Sequence, residues 1–282
     1  MQHSPDARST PPLAKGLTTG LEGMRGPRVR VRLAASVGVD LIIDGRLRPA
    51  IGLKEGGLRG RSLSYGLVEA GGDKRRLAVT SLNAVDAERV DLAVLEAAFA
   101  ALTPPVPGEP PPLMMIPVSW STLRAEKARR RLLRRVAAGQ IKHGVVALCE
   151  VVGLEPGVPR AAIHEAVSAL KPIFRGVLAR TLPQAAMVRR LADCGFTGAA
   201  IEADTLDAAE GEAAMLRRVL MLQTIGPGVL IHGVRSVAGL SAARGAGATW
   251  ASLDIQPGGE NLMAETKTAA GSPRPPQYVD AE

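Results

Sequence analysis

The sequence predicts an α/β protein built as a barrel of the (β/α)8 kind. From residue 113 to residue 255, apolar strand-like segments alternate with helical segments, and such alternation is typical of parallel sheet. Aromatic residues make up only 2% of the 282 residues, whereas hydrophobic residues make up 46%. The core therefore has to consist of Ala, Val, Leu and Ile, as in α/β proteins. This many units in about 220 residues suit a barrel.

The first structured part is predicted to be a hairpin followed by a helix and a loop. Apolar runs flank KEGG at residues 54–57, a turn signal between two strands. The Pro-rich stretch at 103–112 is predicted to be a loop, because consecutive prolines continue neither a helix nor a central strand. Between them, one helical stripe is formed by Val90, Val94, Leu95, Ala98 and Leu102.

The later units are predicted to be strands and helices in turn. The predicted strands are LMMIPVSW (113–120), GVVALCEVVGL (144–154), RGVLAR (175–180), GAAIEAD (198–204), GVLIHGV (228–234) and ATWASLDI (248–255). The predicted helices lie at 121–139, 160–174, 183–196, 206–226 and 236–247. In a barrel of this kind, functional side chains lie at the carboxyl ends of the strands.

Both ends of the chain are predicted to be disordered, which leaves one domain at 29–255. Residues 1–28 are basic and rich in Pro and Gly, and residues 256–282 carry Gly, Pro and charge without periodicity. The chain has neither an apolar signal segment nor a run of 18 apolar residues. These features predict a cytoplasmic protein without a transmembrane segment.

Composition also limits the partners and cofactors. The net charge is +8 and the pI about 10.1, which permits binding to acidic surfaces without specifying one. The scarcity of stacking aromatic residues disfavours nucleic acid. Phosphate loops, dinucleotide fingerprints, Ser/His/Asp elbows and Cys/His metal clusters are all missing from the sequence. The sequence therefore predicts no cofactor.

Several segments, read in order, resemble the EAL domain, the family of cyclic di-GMP phosphodiesterases. RPAIGLKEGGLRGRSL resembles the opening hairpin with its G-x-E-A-L signature, PVSWSTL resembles vNlSp-x-L, and LCEVVGL resembles lEiTEsa. IEAD resembles iKiD, IHGVRS resembles AEGVEt, and GATWASL resembles the closing G-x-d-x-x-QGy. The resemblance covers about residues 40–255. It implies a modified (β/α)8 barrel with one reversed strand, in which two divalent metals at the strand ends hydrolyse cyclic di-GMP.

The resemblance also implies that most metal-site positions are degenerate. Divalent metals of this kind need hard oxygen ligands, yet Arg61 stands at the signature Glu and Ser119 at the metal-binding Asn. Glu150 is the one metal-binding acid that is retained. The paired aspartates fall near Ala179 and Arg180, and the other altered or retained positions are Glu202, Asp204, His232, Arg235 and Ala251. The chain is therefore expected to hold no metal and to have no catalytic residues.

The same alignment places four cationic side chains around the barrel mouth, Arg61, Arg180, His232 and Arg235. Such a cluster repels divalent cations and could bind an anion instead. The alternative is that these arginines are solvated, or paired with Glu202, Asp204 and their neighbours.

A second basic feature is the run RAEKARRRLLRR on a predicted barrel helix. A run of this kind is usually a solvated face, and the alternative is a docking surface for an acidic protein. The cations that would form this surface are Arg124, Lys127, Arg130, Arg131 and Arg134.

The leading functional hypothesis is a catalytically inactive EAL-like protein that acts as a regulatory or protein-interaction module in bacterial cyclic di-GMP signalling. Its partner would be a protein that the sequence does not identify. One alternative is a metal-independent receptor for cyclic di-GMP or another anion. The other is residual or altered enzymatic activity, for which the candidate residues are Glu150, Glu202, Asp204 and His232.

Overall fold

The structure is a computed structural model that describes residues 26–36, 38, 40–70, 76–103, 108–205 and 211–254. Most of the two predicted disordered ends lies outside these residues, although the first strand begins at Arg28. The strands are β1 Arg28–Ala34, β2 Asp40–Gly52, β3 Gly57–Ala70, β4 Arg76–Leu77, β5 Leu113–Ser119, β6 Val146–Val152, β7 Gly176–Arg180, β8 Gly198–Glu202, β9 Gly228–Val234 and β10 Trp250–Leu253.

Eight strands close into a barrel in the order β2, β3, β5, β6, β7, β8, β9 and β10, with β10 pairing back onto β2. The six strands from β5 to β10 run parallel to one another and to β3. Strand β2 is antiparallel to both of its neighbours, β3 and β10. The predicted modified (β/α)8 barrel with one reversed strand is thereby confirmed.

The helices lie mainly in the connections between the barrel strands. They are α1 Ala84–Ala100, α2 Trp120–Arg124, α3 Glu126–His143, α4 Arg160–Leu170, α5 Ala185–Leu191, α6 Gly211–Leu222 and α7 Val237–Gly245, with short 3-10 turns at Val79–Ser81 and Ala203–Thr205. The predicted stripe on α1 is buried at Val90, Val94, Leu95 and Ala98. The first residues of the helix predicted at 206–226 lie outside the described part of the chain.

The predicted hairpin is confirmed and is longer than the barrel requires. Strands β2 and β3 pair from Asp40 with Ala70 to Gly52 with Gly57, whereas β5 pairs with β3 only over Gly60–Ser62. The later half of β3 therefore extends past the barrel, where β4 pairs with it and β1 pairs with the first half of β2. Sequence analysis predicted neither β1 nor β4.

The helix predicted at 121–139 is interrupted, and this part of the prediction is wrong. Ala125 has extended backbone angles, φ −90° and ψ 106°, so that α2 ends after five residues and α3 starts in a new direction. The side chain of Ser119 accepts a hydrogen bond from the Ser121 N–H, which caps α2. Because no Pro or Gly stands near Ala125, the helix propensities of the sequence give no sign of this break.

Alternating side chains divide the apolar core into an inner and an outer layer. The inner layer, which fills the lower barrel, consists of Ala50, Met115, Leu148, Leu178, Ala200 and Leu230. The intervening residues, such as Cys149 and Val151 on β6, pack against the surrounding helices. Within the part of the chain that the structure describes, no helix is long and apolar enough to cross a membrane.

Candidate functional site

The centre of the barrel contains a buried pair of ionisable side chains, Glu150 on β6 and His232 on β9. Both side chains have no exposed surface, and Nε2 of His232 lies 2.7 Å from Oε2 of Glu150. Glu150 lies two residues after Leu148 of the inner layer, and His232 lies two residues after Leu230. The strand period of two therefore directs both side chains into the barrel, where they meet.

The other ring nitrogen of His232 faces two serines of the barrel wall. Nδ1 lies 3.0 Å from Oγ of Ser252 and 3.4 Å from Oγ of Ser62. Ser252 accepts a hydrogen bond from the Gly233 N–H at 3.3 Å, so its own hydroxyl hydrogen can donate to Nδ1. In the neutral ring with this tautomer, and equally in the protonated ring, Nε2 carries a hydrogen and donates it to Glu150. Both ring nitrogens are thus engaged by the protein.

Burial raises the pKa of the Glu150 carboxyl, but other interactions outweigh it. The charge of the His232 ring when protonated, its hydrogen bond and the charge of Arg180 together lower the pKa below its usual range. The carboxylate is therefore held in its ionised form inside the barrel, and Oε2 is used by the histidine. Its Oε1 has no hydrogen-bond partner among the described residues.

Above this pair, ion pairs line the barrel mouth, the carboxyl-terminal end of the parallel strands. At the ends of β7 and β8, Arg180 pairs with Glu202. Arg235 lies 3.4 Å from Asp204 and 3.6 Å from Asp254. Asp254 also lies 3.6 Å from Arg48 of the reversed strand β2. These three arginines are therefore matched by three carboxylates.

Two predicted site residues, Arg61 and Ala251, lie on the outer side of the barrel wall, so the prediction that placed them at the mouth is wrong. Arg61 is paired in register with Met114, which belongs to the outer core, whereas the next residue, Ser62, faces His232. Likewise Ala251 packs in the outer core and Ser252 faces inward. In each strand the inward-facing side chain is thus that of the next residue, and a difference of one residue is enough to reverse the face.

The four cations of the predicted anion site do not form a cluster that is available to an anionic ligand. Arg61 is on the outer face, and the His232 ring is buried against Glu150. Arg180 and Arg235 are at the mouth as predicted, but both form ion pairs with carboxylates. The alternative in which Glu202 and Asp204 pair with the arginines describes the observed contacts.

The donor set does not fit the two divalent metals that the resemblance implies. Within the described ranges, no group of three or more His, Cys, Asp or Glu side chains is arranged to hold a metal. Ser119 has its side chain at the start of α2, where it caps the helix. Glu150 is bonded to a histidine and lies in the field of Arg180. An ion-paired carboxylate beside a guanidinium is a poor ligand for a second cation.

Sequence reasoning missed four residues of this site, Ser62, Ser252, Arg48 and Asp254. The two serines could have been found by counting in steps of two along β3 and β10 from glycine or apolar positions of the inner wall. The ion pairs of Arg48 and Asp254 could not have been found in the sequence, because the residues that form them come from segments far apart in the chain.

A second buried acid, Asp91 on α1, lies where α1 meets the end of β5. Its Oδ2 accepts a hydrogen bond from the Ser119 N–H at 3.0 Å. Burial raises the pKa of Asp91 to about 7, although Thr122, the Ser119 N–H and Tyr65 oppose the increase. This carboxyl connects α1 to the β5–α2 junction, and its pKa lies near neutral pH.

The basic face of the molecule, Arg124, Lys127, Arg130, Arg131 and Arg134, lies on α2 and α3. Arg130 pairs with Glu126, and Arg131 makes two hydrogen bonds to Glu88 of α1. Arg124, Lys127 and Arg134 are exposed and form no ion pair with any residue that the structure describes. Neighbouring acids therefore neutralise only part of this face.

The comparison with known proteins bears on the fold alone. No protein-family model matches the sequence, and no curated protein is detectably similar to it. The Bacillus subtilis YkuI protein, which has an EAL domain and was solved in complex with cyclic di-GMP and calcium, superposes with a TM-score of 0.54 at 11% identity. This match covers 78% of this chain and 59% of that one.

Two further solved structures are similar to a comparable degree. Klebsiella pneumoniae BlrP1, in a calcium and cyclic di-GMP complex, gives a TM-score of 0.54 at 15% identity over 75% of this chain and 54% of that one. Vibrio cholerae LapD S helix-GGDEF-EAL, bound to cyclic di-GMP, gives 0.51 at 11% identity over 75% and 52%. This chain spans between half and three fifths of each of these proteins. The barrel thus has an EAL-type fold.

We expect Asp91→Asn to change the pH dependence of stability. A folded-state pKa near 7, against about 3.9 in the unfolded chain, means that the native state binds the proton more tightly. The wild-type protein therefore loses stability as the pH rises from about 4 to 7. Between pH 5 and pH 8, its free energy of unfolding should fall by up to about 3 kcal/mol relative to that of the Asn variant. Urea unfolding across this range measures the difference.

The matched control is Asp193→Asn, which removes a carboxylate whose side chain is 92% exposed. Its stability relative to wild type should stay constant over the same pH range. A constant difference for Asp91→Asn as well would contradict the assignment of a titrating buried acid at this junction.

Proposed function

We propose that this chain is a catalytically inactive EAL-type barrel that acts as a regulatory or protein-interaction module in the cytoplasm, in bacterial signalling related to cyclic di-GMP. The observation that carries this proposal is the Glu150–His232 pair, with an Nε2–Oε2 distance of 2.7 Å. It engages the carboxylate of Glu150, the one acid that the resemblance retains among the metal-binding positions, and a metal-assisted hydrolysis needs such ligands to be available.

The signalling context is supported by the proteins that share this fold. The structures of YkuI, BlrP1 and LapD named above all contain cyclic di-GMP. A barrel of the same fold with an altered centre is consistent with a protein that acts in cyclic di-GMP signalling but does not hydrolyse the dinucleotide. Since a fold does not transmit a function by itself, the site and the surface have to support the role.

Metal-free binding of cyclic di-GMP is a weaker candidate. Guanidinium groups bind phosphates well when they are free to present their donors, but here Arg180 and Arg235 already face carboxylates. A bound phosphate would have to displace Glu202 or Asp204 from them. The geometry therefore favours a protein without this ligand.

Altered enzymatic activity is also a weaker candidate. A Glu and a His within hydrogen-bond distance can perform acid–base chemistry only if one of them reaches the substrate. Glu150 and His232 both have no exposed surface, and both ring nitrogens of His232 are engaged. This arrangement is better suited to holding β6 and β9 together than to proton transfer with a ligand.

The basic face is the surface that best supports a protein partner. The exposed cations Arg124, Lys127 and Arg134 lack ion pairs within the described ranges, and the helices that carry them lie outside the barrel wall. A complementary acidic surface would gain charge-assisted contacts here and would associate faster at low ionic strength.

Purified protein is expected to show no hydrolysis of cyclic di-GMP with Mg²⁺ or Mn²⁺, because the residues at the barrel centre do not fit a metal pair. Chromatographic detection of the linear dinucleotide product measures this directly, and calorimetric titration on the same sample measures binding. Turnover that Glu150→Gln abolishes would refute the proposal. Binding without turnover would replace it by the receptor alternative.

Charge reversal of the basic face tests the interaction role. In the bacterium that carries this protein, Lys127→Glu with Arg134→Glu should reproduce the effect of deleting the gene on motility or surface attachment, because a complementary acidic surface would be repelled. The matched control is Lys171→Glu with Arg189→Glu, two exposed cations at the end of α4 and in α5. If both double variants behave as wild type while the deletion has a phenotype, the face is only solvated.

A further inference from the structure

A groove of about 1010 Å³ lies at the amino-terminal end of the barrel strands, opposite the mouth. Its walls are the β2–β3 turn and the last prolines of the Pro-rich loop, Pro110, Pro111 and Pro112. Its floor includes the first residues of β5, β6 and β10. We refer to this space as the basal groove. None of the mouth residues described above lines it.

The floor and sides of the basal groove are mainly apolar. Leu58, Leu102, Met114, Val145 and Trp250 all line it. Leu58 is 45% exposed, which makes it one of six large apolar side chains that are exposed to water within the described ranges. A second cavity of about 290 Å³ is also lined by Trp250. The two cavities therefore adjoin at this indole.

The charges around the basal groove are mostly positive. Four cations line it, Lys54, Arg59, Arg61 and Arg175, against two acids, Glu55 and Glu109. One of the acids is engaged by a cation of the same group, since Glu55 lies 3.7 Å from Arg59. Lys54 and Arg175 are exposed and form no ion pair with any residue in the described ranges.

We propose that the basal groove binds an anionic amphiphile of the long-chain fatty acid type. The aliphatic chain would lie along the apolar floor past Trp250, and an exposed cation of the rim, Lys54 or Arg175, would donate hydrogen bonds to the carboxylate. This site goes beyond the proposed signalling role, because it uses neither the mouth nor the basic face.

The shape and chemistry of the groove distinguish this ligand class from other anions. A free phosphate or a nucleotide would gain little from a floor of Leu, Met and Val side chains, and the groove offers a single aromatic ring for stacking. An uncharged lipid would leave the exposed Lys54 and Arg175 without a counterion among the described residues. An aliphatic chain with one anionic head matches both features.

Dodecanoate is the probe for the test, and Trp250 provides the signal. The protein has two tryptophans, and Trp120 is buried at the start of α2, so the variant Trp120→Phe leaves Trp250 as the only indole. A brominated dodecanoate, kept below its micelle concentration, should quench this fluorescence in a saturable way. Calorimetry with unmodified dodecanoate on the wild-type protein gives an independent affinity.

The charge requirement is tested with the double variant Lys54→Ala/Arg175→Ala, whose side chains are both exposed. We expect roughly tenfold weaker binding, since charge-assisted hydrogen bonds are lost. Lys171→Ala/Arg189→Ala removes the same charge elsewhere and should bind as wild type does. The uncharged dodecanol should bind more weakly than dodecanoate.

Two results would overturn the proposal. One is the lack of saturable binding to the wild-type protein. The other is binding that the Lys54/Arg175 variant and dodecanol both reproduce, which would make the groove an unspecific apolar surface. Neither result would affect the proposal that the protein does not hydrolyse cyclic di-GMP, because that proposal rests on the Glu150–His232 pair in the barrel centre.

Discussion

The Glu150 carboxylate has to be paired, because an ionised group without exposed surface is strongly destabilising unless a charge and hydrogen bonds compensate it. His232 supplies this compensation from across the barrel, and Ser252 and Ser62 fix the other side of the imidazole ring. The pair thereby connects β6 to β9 through the barrel centre. The ion pairs of the mouth lie above this connection, and Glu150 is held in it by the histidine and by the charge of Arg180.

The positive charge of the chain is consequently found away from the barrel centre. At the mouth, the arginines are balanced by carboxylates from β8 and from the segments that follow β8 and β10. Among the described residues, the exposed cations without such partners include those of the basic face and of the basal groove. A partner or a ligand can reach these cations without disturbing the ion pairs at the mouth.

Much of the barrel could be predicted from the sequence, because alternating strands and helices and a turn signal are local features. Glu150 and His232 were also predicted as site residues at the ends of their strands, although the hydrogen bond between them was not predicted. Arg61 and Ala251 were predicted at the mouth but face the outer core, because a motif resemblance does not fix the strand register to one residue and neighbouring residues of a strand face opposite sides. The ion pairs of the mouth join residues up to about 200 positions apart in sequence, so they become visible only when the barrel closes.

The most direct test of this account is a double-mutant cycle on the buried pair, measured as the free energy of unfolding of the wild type, Glu150→Gln, His232→Gln and the double variant. The account predicts that each single variant loses about 3 to 5 kcal/mol, because a buried partner is left uncompensated. The double variant should lose little more than either single one, which gives a coupling energy above about 2 kcal/mol. Losses that add within about 0.5 kcal/mol would contradict it, since the two side chains would then not stabilise each other.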